Sequence, residues 1–180
     1  YFFKKIKEID ANRSHYIIKT DVSSYADNID QDFLLKIIKE TLVGDDEFYN
    51  FLKWLMKRNQ YQRNGKVVSE HFNLVCGIPL GAFFYNIYLK DMDKMFESYP
   101  LYIRYADDIA IYCNTLEEVE EAKNMLFNKL KSMKLSLNPD KTEIYKPGDE
   151  FSILGFKCYE NSIDISNFAL QKLLKRIKIN

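Results

Sequence analysis

Cysteine is nearly absent from this chain. Cys76, Cys113 and Cys158 are odd in number and far apart, which excludes a disulfide framework or a thiolate metal site and reads as a protein of the reduced cytoplasm. Histidine is rarer still: His15 and His71 have no partner at ligand spacing, so both read as structural or surface residues. No apolar run approaches the roughly 20 residues of a membrane-spanning helix, and no signal peptide is visible. With 6 glycines and 4 prolines there is no linker, low-complexity segment or internal repeat. Net charge is lacking too. The 26 basic and 26 acidic side chains cancel, which argues against a chain that grips nucleic acid by total charge. The basic residues at the two ends (Lys4, Lys5 and Lys7; Lys172, Lys175, Arg176 and Lys178) place any such grip in the flanks.

What is present is a core. A chain of 180 residues, 47% hydrophobic and 15% aromatic, is expected to form one compact domain. It opens on Tyr1 and closes inside a basic helical pattern, which reads as a piece of a longer protein.

Its centre is Leu101 to Cys113, two short runs rich in aliphatic and aromatic residues on either side of Asp107-Asp108. The pattern predicts a β-hairpin with both carboxylates at the tight connection. Adjacent like charges repel, and a purely structural turn favours Asn-Gly or Asp-Gly. A divalent cation is the physical reason to keep two aspartates there. A second acidic pair, Asp45-Asp46 after Gly44, lacks that context: it lies between two helical patterns and suits the start of the second.

Taken in order, His15 to Val22 predicts a buried strand ending near Asp21. Asp30 is placed to cap a helix with Phe33, Leu34, Ile37, Ile38 and Leu42 on one face. Phe48, Phe51, Leu52, Leu55 and Met56 mark a second helix. A hairpin about Asn64-Gly65 follows, then a loop at Gly77–Gly81 and a helix over 82–98. Thr115 and Glu118 form a capping box; Val119, Ala122, Leu126 and Leu130 are the buried stripe behind it. Strands are expected at 135–137, 141–146 and 151–159, and Ser166 caps a last helix.

This order gives an α+β fold, a split β-α-β-β-α-β antiparallel sheet with helices on one face. In that topology the first strand lies beside the hairpin, so Asp21 approaches Asp107 and Asp108. Three carboxylates at one sheet edge suit two Mg²⁺ ions about 3.5–4 Å apart, the arrangement for in-line phosphoryl transfer.

Five segments then carry a family likeness: Asp21-Val-Ser-Ser-Tyr-Ala-Asp27; Gly77-Ile-Pro-Leu-Gly81 with Asn86-Ile-Tyr-Leu89; Arg104-Tyr-Ala-Asp-Asp108; Leu137-Asn-Pro-Asp-Lys-Thr142; and Phe151-Ser-Ile-Leu-Gly-Phe156. Together they resemble the palm of prokaryotic reverse transcriptases, the group that includes group II intron, diversity-generating, retron and abortive-infection enzymes. The resemblance implies an RNA-directed DNA polymerase using two Mg²⁺ ions, for which Mn²⁺ can substitute. Asp21, Asp107 and Asp108 would be the catalytic carboxylates and metal ligands, with the Val22 carbonyl assisting. Lys141 would be the general acid toward pyrophosphate. Tyr25, Ala26, Pro79, Leu80, Gly81 and Tyr105 would line the nucleotide and template site, and Leu154-Gly155 the primer grip. Implied partners are an RNA template, a DNA or RNA primer and dNTPs. The implied division is a remnant of the fingers or N-terminal region at 1–14, the palm at 15–165 with 30–76 inserted, and the start of a thumb helix at 166–180. Fingers and thumb would come from the rest of the protein, and oligomeric state is left open.

Three departures bear on function. Position 80 is Leu where many relatives have Gln. Only Ala82-Phe-Phe-Tyr85 separates Gly81 from Asn86, about one helical turn less than usual. Position 26, where a Phe or Tyr usually screens the 2′-hydroxyl of the incoming sugar, is Ala. A defence-type enzyme making DNA with little or no template suits the shortened segment. An RNA-recognition sheet, which would carry exposed aromatics where these acids stand, a palm scaffold without catalysis and a nucleotide cyclase palm are the other readings.

Overall fold

The computed structural model describes residues 15–57, 60–63, 66–69, 80–159 and 162–178. In chain order it runs β1 (Tyr16–Asp21), α1 (Tyr25–Asn28), α2 (Gln31–Thr41), α3 (Asp46–Lys57), β2 (Gln60–Arg63), β3 (Lys66–Ser69), α4 (Gly81–Tyr88), α5 (Lys90–Met95), β4 (Leu101–Tyr105), β5 (Asp108–Cys113) and α6 (Leu116–Ser132). After a 3-10 turn (Pro139–Lys141) come β6 (Glu143–Tyr145), β7 (Phe151–Ile153), β8 (Phe156–Tyr159), β9 (Ser162–Ile165) and α7 (Asn167–Lys178).

The helices begin where short-range chemistry says they should. Asp30 accepts from the Phe33 N–H at 3.0 Å, Thr115 from the Glu118 N–H at 3.2 Å, and Ser166 from the Ala169 N–H at 3.2 Å, each satisfying a donor that the first helical turn leaves free. Glu118 reaches back one residue further than the capping box requires, to the Asn114 N–H at 2.7 Å.

Four strands form an antiparallel sheet in the order β4-β5-β1-β6, the split β-α-β-β-α-β arrangement. Alternate strand residues point to opposite faces, and here both faces are covered. Ile18, Ile109, Ile111 and Cys113 pack with Leu34 and Ile38 of α2, Phe84 and Tyr88 of α4, and Leu126 and Leu130 of α6. On the other face Ile17, Ala110 and Tyr112 pack with Phe151, Ile153 and Cys158, from a second, three-stranded sheet in the order β7-β8-β9. The central strand β5 is therefore buried from Ile109 through Cys113, which accounts for its unbroken apolar run.

Five details differ from the sequence reading. Of the strand expected at 135–137 only Leu137 pairs, as an isolated bridge to Val22. Tyr105 pairs with Asp108, so the hairpin connection is Ala106-Asp107 and Asp108 already belongs to β5. The helix expected over 82–98 is two, α4 and α5, with Leu89 between them; Tyr88 and Leu89 are both buried at the junction (1% and 0% exposed). The strand expected over 141–146 is only Glu143–Tyr145, because Pro139 opens a 3-10 turn first. The strand β9 has no counterpart in the sequence reading. The Asn64-Gly65 turn and the Gly77–Pro79 loop lie outside the described residues, although β2 and β3 pair on either side of the former.

Candidate functional site

The end of β1 is fastened from two sides. Toward the hairpin, Asp21 lies directly opposite Asp108, and the Val22 N–H donates to the Asp107 carbonyl at 3.1 Å. Toward α6, Val22 pairs with Leu137; the Ser23 N–H donates to Ser136 at 2.9 Å and the Asn138 N–H to the Asp21 carbonyl at 3.0 Å. These bonds leave the Val22 carbonyl unused. Directly opposed residues of an antiparallel pair have Cα atoms about 4.5–5.5 Å apart, so the three acids meet at one edge of the sheet.

Asp21 is 4% exposed. Its Oδ2 accepts a hydrogen bond from the Lys141 ammonium, while Oδ1 is buried without a partner. Lys141 reaches it from the 3-10 turn, which is itself braced. Asn138 accepts from the Asp140 N–H at 3.2 Å, Thr142 Oγ1 donates to the Asn138 carbonyl at 2.7 Å, and the Thr20 and Thr142 hydroxyls lie 2.8 Å apart. Asp21 raises the pKa of Lys141, through the hydrogen bond first and its charge second, so the ammonium is fully protonated at neutral pH. The carboxyl of Asp108 is pushed up by burial first, then by the charges of Asp107 and Asp21, with Lys19 and Lys141 opposing. A cation beside Asp108 would relieve that repulsion.

The donor set fits divalent metal. Hard carboxylate oxygens are present from two strands, one of them a buried acceptor with nothing to accept from. Among the described residues no three acidic, histidine or cysteine side chains stand arranged to hold a metal ion; Lys141 supplies the counter-charge on Asp21.

The remaining candidates are spread around this edge. Tyr105 is 68% exposed beside the acids. Ala26 is half-buried on the single turn α1. Tyr25 is turned into the core: its hydroxyl donates to the Tyr85 carbonyl at 2.7 Å and its ring packs on Tyr85 and Tyr88. Leu80 immediately precedes α4 without a side-chain capping bond and Gly81 is buried as its first residue, whereas Pro79 lies outside the described residues. Leu154 and Gly155 form the β7–β8 turn with φ +51° and +82°; the Gly155 carbonyl accepts from the Ser166 N–H at 2.9 Å. That turn is docked on the start of α7.

One constellation was missed. The Arg104 guanidinium, its side chain 5% exposed, grips Asp93 of α5 with two bonds, Nε to Oδ1 at 2.7 Å and Nη2 to Oδ2 at 2.6 Å. Its Nη1 donates to the Ala106 carbonyl at 3.1 Å. Tyr102 adds a third bond to Asp93, at 2.7 Å. Burial pulls the arginine pKa down, but the hydrogen bond and charge of Asp93 outweigh it and the net movement is up. The only signal in the sequence was an arginine inside an otherwise apolar strand.

Residues 2–158 match the family model described as reverse transcriptase (RNA-dependent DNA polymerase). No curated protein matches the chain in sequence. Among solved structures it is similar to apo telomerase from Candida tropicalis truncated from the C-terminal domain (TM-score 0.62, 15% identity, 92% of this chain and 38% of that one). It is also similar to telomerase from Candida albicans in complex with a TWJ fragment of telomeric RNA (TM-score 0.66, 14% identity, 97% and 37%) and to the corresponding Candida tropicalis complex (TM-score 0.67, 12% identity, 92% and 32%). Identities this low show a shared fold. The chain spans about a third of the length of these structures.

Proposed function

This chain belongs to the reverse transcriptase (RNA-dependent DNA polymerase) family, and from that premise we propose that Asp21, Asp107 and Asp108 form the centre that joins a dNTP to a primer 3′-hydroxyl. The observation that carries the reading is the register that sets Asp21 opposite Asp108 while Val22 bonds the Asp107 carbonyl. Asp21, Asp107, Asp108 and the Val22 carbonyl would hold Mg²⁺, or Mn²⁺ in its place, which when bound neutralises the triphosphate and acidifies the 3′-hydroxyl. The protein's own part is placement. The strand pair fixes the carboxylates relative to one another, so no reorganisation is needed as charge develops on the phosphorus. The 3′-hydroxyl would release its proton to water, and its oxygen would bond to the α-phosphorus as the bond from that phosphorus to the bridging oxygen of pyrophosphate breaks. Lys141 carries the proton that the departing pyrophosphate takes up. Asp21 holds that proton on Lys141.

RNA template, DNA or RNA primer, and the fingers and thumb of the whole protein complete the reading, with the prokaryotic enzymes of the sequence resemblance as the type. A second reading, defence-type synthesis with little template, is favoured by the short Gly81–Asn86 segment, where Phe83 is 43% exposed in place of the small and polar residues that usually lie beneath a template. The test is primer extension by the whole protein with Mg²⁺, with and without RNA template. The Asp107→Ala/Asp108→Ala double variant should lose about a thousandfold or more in rate; full activity in that variant refutes the site. Extension that stops without template supports copying, and extension that continues supports the second reading.

A further inference from the structure

The turn that carries the acids is strained and clamped. Ala106 has φ +53°, a left-handed conformation that costs a residue with a Cβ about 1–2 kcal/mol. It occupies the first of two connecting residues, a positive-φ position that tight hairpins ordinarily give to glycine, asparagine or aspartate. Two bonds hold the turn against that strain: Val22 N–H to the Asp107 carbonyl on one side, and Arg104 Nη1 to the Ala106 carbonyl on the other. The same guanidinium is anchored twice to Asp93 and makes longer contacts, 3.4 Å each, to the side chain and carbonyl of Asn86. It therefore ties the hairpin tip to both α4 and α5. A buried ion pair adds little net stability over apolar packing of the same shape, so stability alone does not explain an arginine here. A planar fork that meets Asp93 and the Ala106 carbonyl at once does something lysine cannot.

We propose that Arg104 is a positioning residue, which locks the Ala106-Asp107 turn and so holds Asp107 and Asp108 in place to share divalent metal with Asp21. The inference rests on the metal-dependent reading above. It assigns Asp93 as the anchor of the lock and Ala106 as the strained point it acts on.

The test compares wild type, R104K, the double variant R104K/A106G and D107A in the whole protein, with three readouts: thermal melting, Mn²⁺ binding in the absence of substrate, and steady-state extension. Lysine keeps a charge for Asp93 but lacks the fork. R104K should melt within about 3 °C of wild type, bind Mn²⁺ about tenfold or more weakly, and lose kcat by a similar factor with little change in KM for dNTP. The double variant should recover part of the Mn²⁺ affinity, because glycine adopts the positive φ without strain. Wild-type Mn²⁺ affinity in R104K overturns the proposal. So does an R104K protein that melts far lower, or fails to fold, with no recovery on adding A106G, since the arginine would then serve stability alone. D107A separates the two levels. If it binds Mn²⁺ as wild type does, the metal reading itself fails; if it loses Mn²⁺ while R104K does not, only the role of Arg104 fails.

Discussion

Ala26 shows how much a single methyl can decide. It lies five residues past Asp21 on a one-turn helix whose single aromatic, Tyr25, is turned inward and bonded to Tyr85. No bulky group stands at position 26 to meet a 2′-hydroxyl. Wild-type protein should accept rNTPs alongside dNTPs, and Ala26→Phe should raise the dNTP preference about tenfold or more with little loss of dNTP incorporation. Parallel incorporation assays decide it, and a strong dNTP preference in the unmodified protein refutes the idea. The acids themselves were legible because carboxylates at a strand end and a hairpin tip are out of place in an apolar pattern. Lys141 was legible only through the motif around it. Thr20 and Thr142, which brace the Lys141 turn, and Asp93, which anchors Arg104, were not. Their meaning lies in hydrogen bonds between residues 122 and 11 positions apart, and no local rule ties such pairs together.

At the level of elements, the β7–β8 turn makes the clearest mechanical claim. Gly155 has φ +82°, and a Cβ built there would lie 3.3 Å from the Ala169 Cβ of α7. Gly155→Ala meets both a strained backbone and a contact that must give, so it should cost about 1–2 kcal/mol and lower the melting temperature by roughly 3–6 °C. A thermal melt followed by circular dichroism checks this; an unchanged melting point would show that the turn is not seated on the helix. The same element shows where pattern reading succeeds. Ser166, Asp30 and Thr115 were placed as caps from sequence because a cap is settled within four residues. The break between α4 and α5 was not, since Phe84, Tyr88, Leu89, Met92 and Phe96 read as one continuous apolar helix. All five are buried across the break, so the apolar pattern carries no mark of it. β9 escaped for a similar reason: a four-residue strand acquires its identity from pairing with β8.

Seen whole, the molecule is one sheet between two cores, and the order of elements was enough to give the sheet's topology. The cover on its second face was not readable, because three short strands there leave a weak period in the sequence. The aromatic content fills these cores, and that has a consequence for pH. Tyr25 and Tyr88 are 4% and 1% exposed, and burial raises both phenols, with Arg104 partly opposing the effect on Tyr25. Tyr102 is raised by burial first and then by Asp93, which its hydroxyl bonds. In each case the native state holds the proton more tightly than the unfolded chain, where tyrosine titrates near pH 10. Stability from these groups is therefore fully present below about pH 10 and lost as pH rises through the folded values. Each phenol kept protonated removes about 1.4 kcal/mol per pH unit above its unfolded value; against a total of about 5–15 kcal/mol, stability should fall steeply above about pH 10. Phenolate absorbance and circular dichroism followed together from neutral to alkaline pH should show a subset of the 13 tyrosines ionising only as the fold is lost. Tyr25→Phe should flatten the alkaline decline while lowering neutral stability by about 1 kcal/mol, the worth of its bond to the Tyr85 carbonyl. If every tyrosine ionises near pH 10 with the sheet intact, the aromatic core is not closed to water as described.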